Sequence, residues 1–251
     1  MAGLFQVFFW ITQDNRVSLI ETSFEKVESL SYSPFEGYDK KVLSPKQIEE
    51  DVSMLSNFTS KVRTYSTADA KVILEATSKT DLPVDLGIWI SGDHKENHLE
   101  IQRALKLLEQ YPDNIANVIV GNETLLRADL NEEELFAYID FVAEFTNKPI
   151  TCAETWDVWE RIPTLANHVD FITIHILPYW EKVPIERFND FIIEKYSVVE
   201  NLFPYKKINI GETGWPSHGY NNNNAVPSLK NQAVAIRGFI NLASQKGWDY
   251  N

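Results

Sequence analysis

The chain has 251 residues, 44% of them hydrophobic, enough for one large core and the size of a single domain. A formal net charge of -13 with no Lys/Arg cluster excludes nucleic acid and anionic membrane surfaces as partners and favours a neutral or cationic ligand. The single Cys152 rules out an intrachain disulfide, and the five His show no ligand spacing, so neither a metal nor a cofactor is expected.

Gly3 to Ile11 is strongly apolar, yet about half the length that spans a bilayer, and it lacks the basic flank of a signal peptide. Two readings stay open for residues 1–20: the trailing end of a membrane helix, or an amphipathic cover for the bottom of the domain. From residue 21 onward, strand-like and helix-like patterns alternate, the signature of parallel βαβ units. Val27 to Tyr32 reads as the first strand. Ser44-Pro45-Lys46-Gln47 then offers an N-cap, a Pro at the first helical position and a capping-box Gln, followed by Ile48, Val52 and Leu55 at helical spacing.

Lys61 to Tyr65 is the second predicted strand and Ala68 to Ala76 a short helix. Val84 to Ile90 is the third strand, with a helix after it whose apolar stripe is Ile101, Leu105 and Leu108. Asn117 to Gly121 follows as the fourth, and Asn131 with Glu134 caps the next helix, which buries Leu135, Ile139 and Val142. Pro149 to Ala153, Val169 to His175 and Lys207 to Gly211 are strands five to seven. Asn221 to Asn224 is a loop, and Ser228 opens a helix to about Gln245 through Ala233, Ile236 and Ile240. Gly247-Trp248-Asp249-Tyr250 approaches an eighth strand that the sequence does not finish. The fold class is therefore α/β, a (β/α)8 TIM barrel over residues 21–251, truncated within or before the eighth strand.

Two segments share one grammar. Ile208-Asn209-Ile210-Gly211-Glu212 is an apolar strand ending in a carboxylate, with Gly211 allowing close approach to a neighbouring strand and Gly214-Trp215-Pro216 forcing a turn. Ala116 to Glu123 repeats the pattern. In such a barrel the reactive residues come from the C-terminal ends of strands, so Glu123 and Glu212 face one cleft. The bland alternative is a loop carboxylate beside a packing Trp. Two carboxylates about 5 Å apart are suited to retaining glycoside hydrolysis, provided their environments hold one protonated and the other ionised. Asn122 places an amide beside Glu123, suited to a sugar hydroxyl. Seven Trp and ten Tyr supply aromatic faces for sugar rings, although most such residues simply fill cores.

Seven segments in order carry a resemblance: Ser31 to Phe35, Val62 to Ser66, Leu86 to Ile90, Val118 to Glu123, Ala153 to Trp156, His175 to Glu181 and Gly211 to Ser217. Together they resemble glycoside hydrolase family 17, the β-1,3-glucanase family with a (β/α)8 fold and retaining chemistry. Within it they are most similar to the bacterial branch of β-glucan glucosyltransferase domains, often fused to membrane glycosyltransferase modules. The resemblance implies Glu123 as acid/base and Glu212 as nucleophile, no cofactor, a β-glucan oligo- or polysaccharide partner, and a membrane-anchored or periplasmic place in the cell envelope. The branch's acidic and aromatic eighth-strand segment has no counterpart here.

The remaining site residues carry paired readings. Tyr32 and Tyr65 end the first two strands, placed either to hydrogen-bond the nucleophile or the sugar, or to pack in the core with a wet hydroxyl. Arg63 pairs with a carboxylate under the site, in a structural role or equally a catalytic one. His175, Tyr179 and Trp180 follow the sixth strand as sugar contacts, His175 being equally readable as a structural histidine. Trp156 and Trp215 are expected stacking platforms, and Trp10 and Trp159 structural. Glu154 ends the fifth strand, set to bind a hydroxyl or tune its neighbours. The function expected is β-1,3-glucan cleavage with glucosyl transfer. Its alternatives are plain hydrolysis and a non-catalytic glucan-binding barrel.

Overall fold

The computed structural model describes residues 26–36 and 41–251, so the apolar segment expected over residues 1–20 lies outside the described residues. Among the described residues ten strands occur in chain order: β1 (Leu30–Ser31), β2 (Phe35–Glu36), β3 (Lys41–Val42), β4 (Val62–Arg63), β5 (Val84–Ile88), β6 (Ile115–Asn122), β7 (Ile150–Thr155), β8 (Ile172–His175), β9 (Ile208–Glu212) and β10 (Asp249–Tyr250). Eight of them form one parallel sheet in the order β1-β4-β5-β6-β7-β8-β9-β10, and β2 and β3 pair separately as an antiparallel ribbon. Helices link successive strands, which gives the expected (β/α)8 barrel.

Side-chain parity explains which residues reach the barrel interior. Along a strand successive side chains point to opposite faces. Val62, Val84, Leu86, Ile88, Val118, Val120, Ile150, Cys152, Ile172, Ile174, Ile208 and Ile210 all belong to the buried apolar core. Several of their odd-numbered neighbours are polar and bond to one another: Lys61 Nζ meets Asp85 at 2.7 Å, Asn117 Nδ2 donates to Asp85 at 2.7 Å, and Thr151 and Thr173 hydroxyls lie 3.0 Å apart. The apolar face packs against helices and the polar face fills the barrel.

Local signals in the sequence are obeyed at the helix starts. Helix α1 (Pro45–Leu55) begins at the Ser44/Gln47 capping box, α2 is Thr67–Thr77, and α3 is His94–Gln110. Helix α4 (Glu132–Ala143) starts at the Asn131/Glu134 capping box and buries Leu135, Ile139 and Val142. Helix α5 (Trp156–Arg161) and helix α6 (Phe188–Leu202) lacked sequence predictions; neither has a side-chain N-cap bond, which removed the usual start signal. The last helix, α7 (Leu229–Lys246), begins after its Ser228 cap as expected. Its buried face is Ala235, Gly238, Phe239, Ile240, Leu242 and Ala243. Of the expected stripe Ile240 is therefore buried, whereas Ala233 is half-buried and Ile236 exposed, so the face is turned partly away from them. Gly238 is the reason: bare of a side chain, it lets Asn189 of α6 approach, the nearest atom being 3.2 Å from where a Cβ would stand.

The eighth strand is formed over two residues, in keeping with the expected truncation within it. Asp249 and Tyr250 pair in parallel with Asn209 and Ile210, and the Asn251 amide continues the ladder to the Ile210 carbonyl at 2.8 Å. Between the sheet's two end strands, side chains take the place of a backbone ladder. The Tyr250 amide donates to Glu28 at 3.1 Å, the Glu28 amide to the Tyr250 hydroxyl at 3.3 Å, and the Ser29 hydroxyl to Asn251 Oδ1 at 2.5 Å. Among the described residues no helix is long and apolar enough to cross a membrane.

Candidate active site

Backbone irregularities at the ends of β6 and β9 aim the two carboxylates. Register between β6 and β7 shifts between Ile119 and Asn122, and Gly121 (φ 83°) and Glu123 (φ 52°) both take left-handed conformations. That region is unfavourable for a side chain as large as Glu, so strain is stored at Glu123 itself. Between β8 and β9 the register shifts beyond Ile174, bringing His175 opposite Glu212, with Gly211 as the extra residue. A Cβ at position 211 would stand 2.4 Å from Thr173 Cγ2 and 3.0 Å from Arg63 Nη1. Only glycine allows this crossing.

Glu123, His175 and Glu212 converge, their ligand-type atoms all within 4.8 Å of one another. His175, fully buried, has Nδ1 2.7 Å from Glu123 Oε1 and Nε2 3.5 Å from Glu212 Oε1. Beneath them lies Arg63, only 1% exposed, with Nη1 donating to the Gly211 carbonyl at 2.8 Å and Nη2 to Asn122 Oδ1 at 2.7 Å. Its Nη1 is also 3.6 Å from Glu212 Oε1, and Nη1 and Nη2 lie 3.4 and 3.5 Å from His175 Nε2. A guanidinium has only donors, so the ring lone pair is at Nε2 and Nδ1 carries the proton that Glu123 accepts. The same trio has a spacing that metal ions use. Here the guanidinium already supplies the positive charge at that point, and a second cation would be repelled by it.

Tyr65 donates its hydroxyl to Glu212 Oε1 at 2.9 Å, and burial pushes that phenol up to about 12, so it remains a donor across the neutral range. Its oxygen is also 3.0 Å from Ser31 Oγ. Glu123 is held below the usual carboxylate range, first by the His175 hydrogen bond and then by the charges of Arg127 and Arg63, against burial. The expected split, one carboxylate protonated and one ionised, does not follow from Glu123 at rest. Its surroundings favour the ionised form.

Several expected sugar contacts are placed elsewhere. Glu154 is fully buried, because its parity is that of Ile150 and Cys152 and it faces away from the barrel interior; it accepts from the amides of Leu125 at 2.7 Å and Leu126 at 3.3 Å. Binding a sugar hydroxyl is thereby excluded. Trp215 is 4% exposed, packs edge-on to Tyr179 and Phe188, and gives its indole N–H to the Val226 carbonyl at 2.9 Å. Tyr179 is 5% exposed, its hydroxyl bonded to the Tyr220 carbonyl at 2.6 Å. Both anchor the loop over residues 213–228 rather than offer a face. Tyr32 turns to Asp51 of α1 at 2.7 Å, not to Glu212.

Trp180 remains open, at 61% exposed. Trp156 is half-buried, with the Lys195 ammonium 4.2 Å over its ring and its N–H on Glu181 at 3.2 Å, so one face is taken. Trp89, which follows β5 and was given no role, is partly exposed with the Arg127 guanidinium 4.5 Å over its ring. Its position at a strand end was the available signal. Trp159 is structural, fully buried with its N–H on the Thr173 carbonyl at 2.9 Å.

A parallel eight-stranded barrel with two close carboxylates at the C-terminal ends of β6 and β9 is the architecture of a glycosidase catalytic domain. Residues 29–251 match the family model of the BtgE/BtgC glycoside hydrolase domain, and the chain belongs to that family. It is 28% identical over 228 residues to a probable beta-glucosidase btgE of Neosartorya fischeri, covering 86% of this chain and 41% of the relative. It is 29% identical over 189 residues to a glucan 1,3-beta-glucosidase of Schizosaccharomyces pombe, covering 67% of this chain and 59% of the relative. The chain thus spans roughly two to three fifths of these curated relatives. Among solved structures it resembles a glycoside hydrolase family 17 beta-1,3-glucanosyltransferase from Rhizomucor miehei, with a TM-score of 0.80, 25% identity, and 89% and 85% of the two chains covered.

Proposed function

We propose that this chain is the catalytic domain of a retaining glycosidase acting on β-1,3-glucan, with Glu212 as nucleophile and Glu123 as general acid/base. The observation that carries the reading is the separation of the carboxylate oxygens, within 4.8 Å. Retaining enzymes hold their carboxyl groups roughly 5 Å apart, whereas inverting ones leave about 6.5–9.5 Å for a water. The substrate class rests on the names of the relatives, a glucan 1,3-beta-glucosidase and a beta-1,3-glucanosyltransferase.

In the first step a Glu212 oxygen, oriented by Tyr65 and Arg63, attacks the anomeric carbon. Glu123 gives its proton to the glycosidic oxygen, and the leaving glucan departs as an alcohol. Glu123, now ionised and accepting from His175, takes a proton from water or from an acceptor sugar hydroxyl, whose oxygen attacks the anomeric carbon and releases Glu212. The ionised state favoured by His175 and Arg127 is the state this second step requires. For the first step, a sugar that excludes water from the half-buried carboxyl raises its proton affinity.

Transfer is favoured over plain hydrolysis by the likeness to the glucanosyltransferase, and a polysaccharide substrate suits a cell-envelope location. The kinship with bacterial glucosyltransferases, and the association with a membrane glycosyltransferase module that it carries, rest on the segment His175 to Glu181; the relatives named above are fungal. Incubation with laminari-oligosaccharides, followed by mass spectrometry, tests the reading. Products longer than the substrate support transfer, shortened products alone mean hydrolysis, and no turnover with retained binding leaves a glucan-binding barrel and overturns the enzymatic reading.

A further inference from the structure

We infer that Glu154 is a positioning residue for the general acid/base: its buried carboxyl clamps the turn after β6 through the Leu125 and Leu126 amides and so holds Glu123 in its strained backbone conformation. The inference rests on the reading of Glu123 given above. Three observations meet at this carboxyl. It is fully buried, on the helix-facing side of β7, where an unpaired carboxyl has no packing rationale. Its two oxygens each accept from one of two consecutive amides, at 2.7 and 3.3 Å, two and three residues beyond Glu123. And Glu123 occupies φ 52°, a conformation that persists only where its surroundings over-determine it.

The turn is also anchored from its other end. The Glu123 amide donates to the Ala153 carbonyl at 2.8 Å, the residue directly before Glu154, and the Arg127 amide returns to the Glu123 carbonyl at 2.9 Å. Strand β7 therefore holds the turn before and after the strained residue. The charged and titratable groups around Glu154 are Glu123 and Arg127 of the turn and Cys152 of its own strand, while Arg63 and His175 face Glu123. Burial foremost, and then the neighbouring Glu123 charge, push Glu154 up to about 7. Neither protonation state dissolves the clamp, since a neutral carboxyl keeps its carbonyl oxygen for Leu125.

A clamp of this kind has a signature that general destabilisation lacks. Glu154→Leu removes both acceptors, while Glu154→Gln keeps one. With laminaritriose, whose leaving group needs a proton, Glu154→Leu is expected to lower kcat about 10-fold or more with KM little changed, and Glu154→Gln to recover most of the loss. With a dinitrophenyl β-laminaribioside, whose leaving group departs unprotonated, the first step is expected to change less than about 3-fold in either variant. Equal losses on both substrates, or no difference between Leu and Gln, overturn the clamp. Should Glu154→Leu not be recovered folded, the Leu125 and Leu126 amide proton shifts are followed by NMR against pH in the unmodified protein and in Glu154→Gln. A shared titration that vanishes in the variant supports the clamp, and flat shifts in both overturn it. Glu123→Ala with the dinitrophenyl substrate and azide separates the two levels: formation of a glucosyl azide upholds the role of Glu123, and its absence overturns that role and the clamp with it.

Discussion

His175 Nδ1 lies 2.7 Å from Glu123 Oε1, and this one contact is the largest influence on the proton affinity of Glu123. The ring is fully buried and its other nitrogen faces the Arg63 guanidinium, so its proton has nowhere else to go. Removing the donor destabilises the carboxylate and leaves burial, which favours the neutral acid, less opposed. His175→Phe is therefore expected to move the alkaline limb of the kcat/KM profile on laminari-oligosaccharides to higher pH. A limb that stays in place would show that another group governs it.

Tyr65 acts on the opposite carboxylate. Its hydroxyl donates to Glu212 Oε1 at 2.9 Å, and the Arg63 guanidinium lies 4.9 Å over its ring, a second contact that holds the phenol in place. A hydrogen bond to a charged group contributes about 1.5–3 kcal/mol, so Tyr65→Phe is expected to lower kcat about 10-fold or more while the thermal midpoint moves little. Single-turnover measurement with a dinitrophenyl glucoside should place the loss in formation of the glycosyl-enzyme. A loss confined to KM would assign Tyr65 to the sugar instead.

The burial that Glu154 requires has a thermodynamic consequence of definite sign. Its carboxyl is raised from 4.5 to about 7 in the folded protein, so the fold binds this proton more tightly than the unfolded chain does. Stability from this group is present below pH 4.5 and is lost as pH rises through the window from 4.5 to 7. At 1.36 kcal/mol per unit the loss is about 3 kcal/mol above pH 7. Urea unfolding at pH 5 and pH 8 should show this decline in the unmodified protein and a flatter dependence in Glu154→Gln. Parallel curves for the two proteins would remove Glu154 as the cause.

The barrel and its carboxylates were legible because each depends on local signals: capping residues at Ser44 and Asn131, apolar strands, and Gly before Glu in both carboxylate segments. Glu154 was read as binding a hydroxyl or tuning its neighbours, and the first of these fails because its place at a strand end was weighed without its parity, although Ile150 and Cys152 already fix which way it points. Trp215 and Tyr179 were misread for a different reason. Whether an aromatic ring faces a cleft or the core is decided by the loop over residues 213–228, whose Tyr220 and Val226 carbonyls hold them from far along the chain. No local pattern encodes that contact.

That distinction yields a paired prediction. Trp215 is buried against Tyr179 and Phe188, so Trp215→Ala is expected to destabilise the fold by about 3–5 kcal/mol. Trp180, 61% exposed, should change stability by less than about 0.5 kcal/mol on truncation and instead raise KM for longer laminari-oligosaccharides. Denaturant midpoints and kinetics on the two variants separate core from platform. A Trp180→Ala variant with unchanged KM at every substrate length would leave Trp180 without a role in binding.

Asn251 reaches the nucleophile without touching the sugar. Its Nδ2 donates to Ser31 Oγ at 2.6 Å and to the Gly211 carbonyl at 3.2 Å, and Ser31 Oγ lies 3.0 Å from the Tyr65 hydroxyl. The Tyr65 phenol has one proton, and the Glu212 carboxylate can only accept it, so the Ser31 hydroxyl donates to Tyr65 and a directed chain runs Asn251, Ser31, Tyr65, Glu212. Hydrogen bonds in such a chain polarise one another, and its first link also joins the eighth strand to the first. Asn251→Ala is expected to lower kcat several-fold through the nucleophile and to destabilise the fold by about 1–3 kcal/mol through the seam. Asn251→Asp separates the two effects: its carboxylate still accepts from the Ser29 hydroxyl but cannot donate to Ser31, so the Ser31 proton is drawn toward position 251 and away from Tyr65. Kinetics and thermal midpoints on both variants check this. If Asn251→Asp keeps full kcat, the chain ends at Ser31 and Asn251 serves only to close the barrel.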